Sequence, residues 1–134
     1  MKPLVVWILQ TGEPLHSDGG SVRPMRAMNL ANKLVEKGHH VTIWSSAFYH
    51  QEKRHRSHQN KTVNVSKQLT IKLIYSPGYS KNISLLRLLD HFIFAKNLYA
   101  DVKLETQLPD VAFVGYPPIE SAAVMVSWLK KQGV

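Results

Sequence analysis

An α/β fold built on parallel strands is what the sequence predicts, and three observations predict it. Leu4 to Leu9 is a short unbroken apolar run, as a strand buried on both faces requires. A glycine-rich turn follows, and then Ala27, Leu30, Ala31, Leu34 and Val35 recur at helical spacing. His40 to Ser45, with Val41, Ile43 and Trp44, supplies the β-branched and aromatic bulk of a second strand. Strand, helix and strand in that order form a βαβ unit, which implies a parallel pair and a right-handed crossover.

Composition bounds the rest. The 134 residues suit one domain with a sizeable core, and 44% hydrophobic content excludes wholesale disorder. A formal charge of +8 points to anionic partners: nucleic acid, sugar nucleotides or anionic lipid. The excess lies in the first half, where residues 1–67 carry ten Lys/Arg against four Asp/Glu. Without cysteine there is neither a disulfide framework nor a thiolate metal site. The first apolar run is too short for a signal peptide core, and nothing approaches a membrane-spanning length. The expected location is the cytoplasm, with membrane attachment only at the surface.

The turn after the first strand contains Gly12, Pro14, Asp18, Gly19 and Gly20, which cannot continue a strand. Ser21 is placed to cap the helix, with Pro24 in its first turn and Gly38 at its end. A strand feeding a helix through glycines offers free N–H groups and a positive helix end to an anion, and Arg23 and Arg26 can add charge-assisted bonds. The alternative is a merely permissive turn beside solvated arginines. The G-x-G-x-x-G spacing fails, and Trp44-Ser45-Ser46 ends the second strand without an acidic residue, which excludes an NAD-dependent dehydrogenase.

Ala47 to Lys67 reads as a long polar loop carrying His50, Lys53, Arg54, His55, Arg56, His58, Lys61 and Lys67. It is either a basic flap over a phosphorylated substrate, at the strand edge where α/β sheets bind ligands, or a solvated charge run. The histidine spacings match no common metal site. Leu69 to Tyr75 is the third strand, ended by Ser76-Pro77-Gly78, with Tyr79, Lys81 and Asn82 in the loop beyond.

Ser84 caps a helix reaching to Glu105, with Leu85, Leu88, Leu89, Phe92, Tyr99 and Val102 on one face. Leu86, Ile93 and Phe94 make its first half apolar nearly all round, which implies either burial, within or beyond this chain, or partial exposure for a partner or membrane surface, burial being the simpler expectation. Arg87, Asp90 and His91 interrupt that surface, at a spacing that suits an ion pair from Arg87. Val111 to Gly115 is the fourth strand, and Ile119 to Lys131 a last helix closed by Gly133. A βα alternation would next place a strand after Val134, so the domain is expected to be cut short there.

These blocks together resemble a known family. Asp18-Gly19-Gly20 with Arg23-Pro24-Met25-Arg26, Leu30-Ala31, Leu34, Gly38-His39, Val41-Thr42 and Trp44-Ser45 carry the likeness, with Phe48, His50, Lys53 and Arg56. It continues through Pro77-Gly78-Tyr79, Lys81-Asn82, Ser84-Leu85, Arg87, Asp90, His91, Pro109-Asp110 and Pro117-Pro118. In order and spacing they resemble the N-terminal half of a bacterial family 4 glycosyltransferase, of the branch that builds capsule and O-antigen polysaccharides.

The resemblance implies a Rossmann-like parallel sheet with helices on both faces, the first half of a two-domain GT-B enzyme. It implies an acceptor-side domain spanning residues 1–134, with the donor-binding domain outside this sequence. The implied reaction, retaining and hexosyltransferase-like, moves a sugar from a nucleotide-sugar to a lipid-linked or growing glycan, with no cofactor or metal. Gly19, Gly20, Ser21, Arg23 and Arg26 are the implied contacts to the donor diphosphate. His50, Lys53, Arg56, Tyr79, Lys81, Asn82, Arg87 and His91 are the implied acceptor side. No catalytic residue is assigned within the chain, which is expected to be inactive alone. The apolar helix start, Leu85 to Phe94, becomes a candidate contact for a lipid-linked acceptor or the inner-membrane surface. Two readings stand beside this one: a non-catalytic Rossmann-like module for a sugar phosphate or nucleotide, and a nucleic-acid binder. The latter rests on charge alone, without a recognition helix or aromatic-basic interleaving.

Overall fold

In the computed structural model, which describes residues 2–19, 23–116 and 118–134, the chain is a mixed α/β fold with three helices. The strands are β1 (Val5–Leu9), β2 (His40–Ser46), β3 (Phe48–Tyr49), β4 (Arg54–His55), β5 (Lys61–Asn64), β6 (Leu69–Ile74) and β7 (Val111–Val114). The helices are α1 (Arg26–Glu36), α2 (Leu85–Val102) and α3 (Ile119–Lys131), with a short 3-10 turn at His16–Asp18. The main sheet runs in the order β5-β6-β2-β1-β7. β6, β2, β1 and β7 are parallel, and β5 joins the β6 edge antiparallel. The architecture is compatible with a Rossmann-like fold.

Side-chain alternation sorts the core into two layers. Val6 and Ile8 of β1, with Val41, Ile43, Leu69, Ile71 and Leu73, pack under α1 through Ala27 and Ala31. Trp7 and Leu9, on the opposite face, join Trp44 and Ile74 under Phe94, Leu98 and Val102 of α2 and Met125, Trp128 and Leu129 of α3. That layer holds all three tryptophans: Trp7 lies 5.1 Å from Trp44 and stacks parallel on Trp128 at 6.1 Å. Both faces of β1 are therefore dry, which is why its sequence is apolar without a break.

Several boundaries move. Helix α1 starts at Arg26 with Met25 at its cap, so Pro24 precedes the helix instead of lying in its first turn. Ser21, the expected cap, and Gly20 lie outside the described residues. The helix end holds: Gly38 takes a left-handed φ of 93° and its N–H donates to the Val35 carbonyl. Ser84 caps α2 as expected, its hydroxyl accepting from the Arg87 N–H at 3.2 Å.

The segment read as one long loop is mostly built structure. β3 and β4 form a hairpin, turned by His50 to Lys53 with Lys53 at a left-handed φ of 51°. β5 then pairs with β6, setting Val63 opposite Ile71. An edge strand facing water needs little apolar content, and Lys61 guards its rim. Nor is the first half of α2 buried. Leu85, Leu86, Leu88, Leu89 and Phe92 are exposed, whereas Phe94, Ala95, Leu98 and Val102 are covered. Among the described residues no helix is long and apolar enough to cross a membrane.

Candidate functional site

The parallel strands order as β6-β2-β1-β7, so the chain leaves β1 toward one side and later returns to the other. Such a reversal opens a crevice at the C-terminal strand ends. A cavity of about 280 Å³ lies there. Gln10, Thr11, Gly12 and Glu13 line it from beyond β1, Ser46 and Phe48 from the end of β2, and Tyr116 and Pro118 from beyond β7. Met25 and Arg26 contribute from the start of α1, and Arg87, Asp90, His91 and Phe94 from α2. His50 and Tyr79 complete the wall.

His50 Nδ1 and the Tyr79 hydroxyl share a hydrogen bond. Burial lowers the His50 pKa, and the charges of Lys53 and Arg87 push it further the same way. Burial also raises the Tyr79 pKa. The bond therefore joins two neutral groups at pH 7, inside a positive field. The Lys53 ammonium lies 5.5 Å from the centre of the Tyr79 ring and the Arg87 guanidinium 6.0 Å from it. Lys53 Nζ also donates to the His50 carbonyl at 2.8 Å.

The ring is held by its neighbours. Gly78, at φ 79°, leaves room for Phe48: a Cβ added there would lie 2.5 Å from Phe48 Cδ1. The Gly78 N–H donates to Asp90 Oδ1 at 2.7 Å, tying this loop to α2. Asp90 is thus spent on the backbone instead of on Arg87, and His91 Nδ1 lies 3.7 Å from Glu120 Oε2 of α3. The ion pair expected within α2 does not form. Arg87 donates from a terminal NH to the Asn82 carbonyl at 2.7 Å and has no carboxylate partner among the described residues.

Of the acceptor-side residues, the cavity gathers His50, Tyr79, Arg87 and His91, with Lys53 just behind. Lys81 and Asn82 are exposed outside it and serve α2 through their carbonyls, which accept from Ser84 and Arg87. Arg56 lies apart from the cavity. Its side chain is 4% exposed and grips Asp18 by two bonds, from Nε to Oδ1 at 2.6 Å and from a terminal NH to Oδ2 at 2.8 Å. It also donates to the carbonyls of Ser46 and Glu13 at 3.0 Å each and lies over the Tyr49 ring at 4.2 Å. Arg56 ties the glycine turn to the hairpin and does not face the cavity.

The residues assigned to the diphosphate separate. Arg26 reaches the cavity, whereas Gly19 and Arg23 line a second, neighbouring cavity with Tyr49, Gln51 and Glu52. Gly20 and Ser21 lie outside the described residues. The α1 N-terminus itself already carries an anion: the Ala27 N–H donates to Glu13 Oε1 at 2.9 Å. Glu13 is 4% exposed. Nothing local in the sequence marks it, because the bond joins residues 14 positions apart; position beyond a parallel strand's C-terminal end was the one available signal. The same signal applies to Gln10, Thr11 and Tyr116. No protein-family model, curated protein or solved structure matches the chain.

Proposed function

We propose that this chain is the acceptor-side, Rossmann-like half of a GT-B glycosyltransferase of family 4, acting in surface polysaccharide synthesis. The observation that carries the reading is the gathering of His50, Tyr79, Arg87, His91 and Arg26 around one cavity at the topological switch of a parallel sheet. The reaction moves a sugar from a nucleotide-sugar to a hydroxyl of a lipid-linked or growing glycan. The cavity binds the acceptor sugar, and Arg23 and Arg26, both exposed beside it, are the groups left for a donor diphosphate. This half contributes position and charge: it holds the acceptor in line and offsets the charge that develops on the leaving diphosphate.

The exposed apolar start of α2 supports a place on the cytoplasmic face of the inner membrane. The protein from the whole reading frame, given a panel of nucleotide-sugars and a membrane fraction, should release nucleoside diphosphate and label a lipid-linked glycan. Ligand binding without any transfer would instead make it a non-catalytic sugar-phosphate or nucleotide module.

A further inference from the structure

Two concave surfaces meet along the first turns of α2. One is the polar cavity of about 280 Å³ at the strand ends; the other is an open groove of about 530 Å³ lined by Ile83, Leu85 and Leu88. Arg87 and His91 line both. The Arg87 guanidinium stands at the junction. It donates to the carbonyl of Asn82, which lines the groove, and lies 6.0 Å from the ring centre of Tyr79, which lines the cavity.

The two surfaces differ in what they can hold. Ile83, Leu85 and Leu88 are 93%, 84% and 51% exposed, so the groove keeps apolar surface against water and favours an apolar occupant. None of the described residues lining it is acidic. In the cavity, Glu13 and Asp90 are 4% and 5% exposed, and each spends an oxygen on a backbone N–H, of Ala27 and of Gly78. The charge that an occupant meets at the junction is therefore that of Arg87, with Lys81 exposed in the loop before α2. A guanidinium without a carboxylate partner suits a phosphate. A chain in the groove, an anion at the junction and a polar group in the cavity describe one molecule.

We propose that this double site takes a phosphorylated amphiphile: its apolar chain lies along the groove, its phosphate pairs with Arg87, and a sugar joined to that phosphate enters the cavity. The inference rests on the glycosyltransferase reading for the sugar. It narrows the acceptor to one carried on an isoprenoid or acyl chain, and excludes a free glycan. The bilayer is the source of such a molecule but is a different occupant. Leu86, Leu89 and Phe92 are exposed outside the groove and are left to meet it.

The test is calorimetric titration of the full chain, without vesicles, with butyl phosphate, octyl phosphate, octanol and inorganic phosphate, the amphiphiles kept below micelle-forming concentrations. Octyl phosphate should bind at least about tenfold more tightly than butyl phosphate, because its further methylenes reach the groove. It should exceed octanol by about tenfold, which lacks the charge-assisted bond. Inorganic phosphate should bind most weakly of the three phosphates. Ile83→Ser with Leu88→Ser, both at exposed positions, should erase the difference between the alkyl phosphates and leave the melting temperature unchanged. Arg87→Gln should bring octyl phosphate down to the level of octanol, and Arg87→Lys, which keeps the charge, should restore part of the difference.

Equal binding of butyl and octyl phosphate by the wild-type chain would overturn the proposal, as would octanol binding as tightly as octyl phosphate. Co-sedimentation with phosphatidylglycerol vesicles without any chain-length preference would overturn it too, and give the α2 start to the bilayer alone. Binding as stated, with no sugar transfer by the protein of the whole reading frame, would sink the glycosyltransferase reading and leave this site standing. Transfer with one KM to a lipid-linked acceptor and to the same glycan freed of its lipid would sink the site and leave the reading.

Discussion

Arg56 shows how a residue drawn from a charge run becomes internal structure. Both its partner Asp18 and its own guanidinium are almost wholly buried, and the geometry is bidentate. Asp18 has a second duty, accepting the Leu15 N–H at 2.7 Å and so fixing the turn that leads to the glycines. Arg56→Met should cost about 3–5 kcal/mol in urea unfolding, because it strands a buried carboxylate. Adding Asp18→Asn should recover part of that loss. A single-variant loss below about 1 kcal/mol would show the pair to be ornamental. Arg56→Lys should not rescue, since an ammonium cannot reproduce the fork or lie flat on Tyr49. None of this was legible in the sequence, where Arg56 looks like its neighbours Arg54 and Lys53. The bonds join positions 38 residues apart. Glu13 was hidden for the same reason, whereas Tyr79 and His50, both on the cavity wall, stand where their places beyond strand ends can be read from the sequence.

Helix α2 was legible in extent but not in environment. Its period and its Ser84 cap show in the sequence, because hydrogen bonds and side-chain spacing within a helix are local. Which turns find a neighbour is not local. The sheet and α3 cover it from Phe94 onward, and its first two turns project past them. The short strands β3, β4 and β5 were missed on the same ground, being held by partners instead of by apolar pattern. Ile83, Leu85 and Leu88 line one apolar groove together with Arg87 and His91. Leu85 and Phe92 are 84% and 63% exposed. With a net charge of +8, the whole suits an anionic bilayer. Leu85→Glu with Phe92→Glu should abolish co-sedimentation with vesicles containing phosphatidylglycerol and move stability by no more than about 0.5 kcal/mol. Wild-type protein that stays in the supernatant at low salt would remove the membrane from the reading.

The two faces of the sheet are not covered equally. On one, α2 and α3 cover β1, β2, β6 and the inward residues of β7, Ala112 and Val114. On the other, α1 reaches β1, β2 and β6, while Val111 and Phe113 of β7 stand 37% and 46% exposed. Among the described residues β7 is also the sheet's edge, pairing with β1 alone. A parallel sheet is ordinarily covered on both faces, and a bare apolar edge strand is a template for pairing with another copy. The chain on its own should therefore self-associate, seen as a weight-average mass that rises with concentration in sedimentation equilibrium. Phe113→Lys puts a charge on the bare face without touching Ala112 or Val114. It should hold the mass at the monomer value and leave the unfolding midpoint near that of wild type. A wild-type chain that stays monomeric at high concentration would mean that the β7 edge is already guarded, and association would then have to be sought at the exposed start of α2.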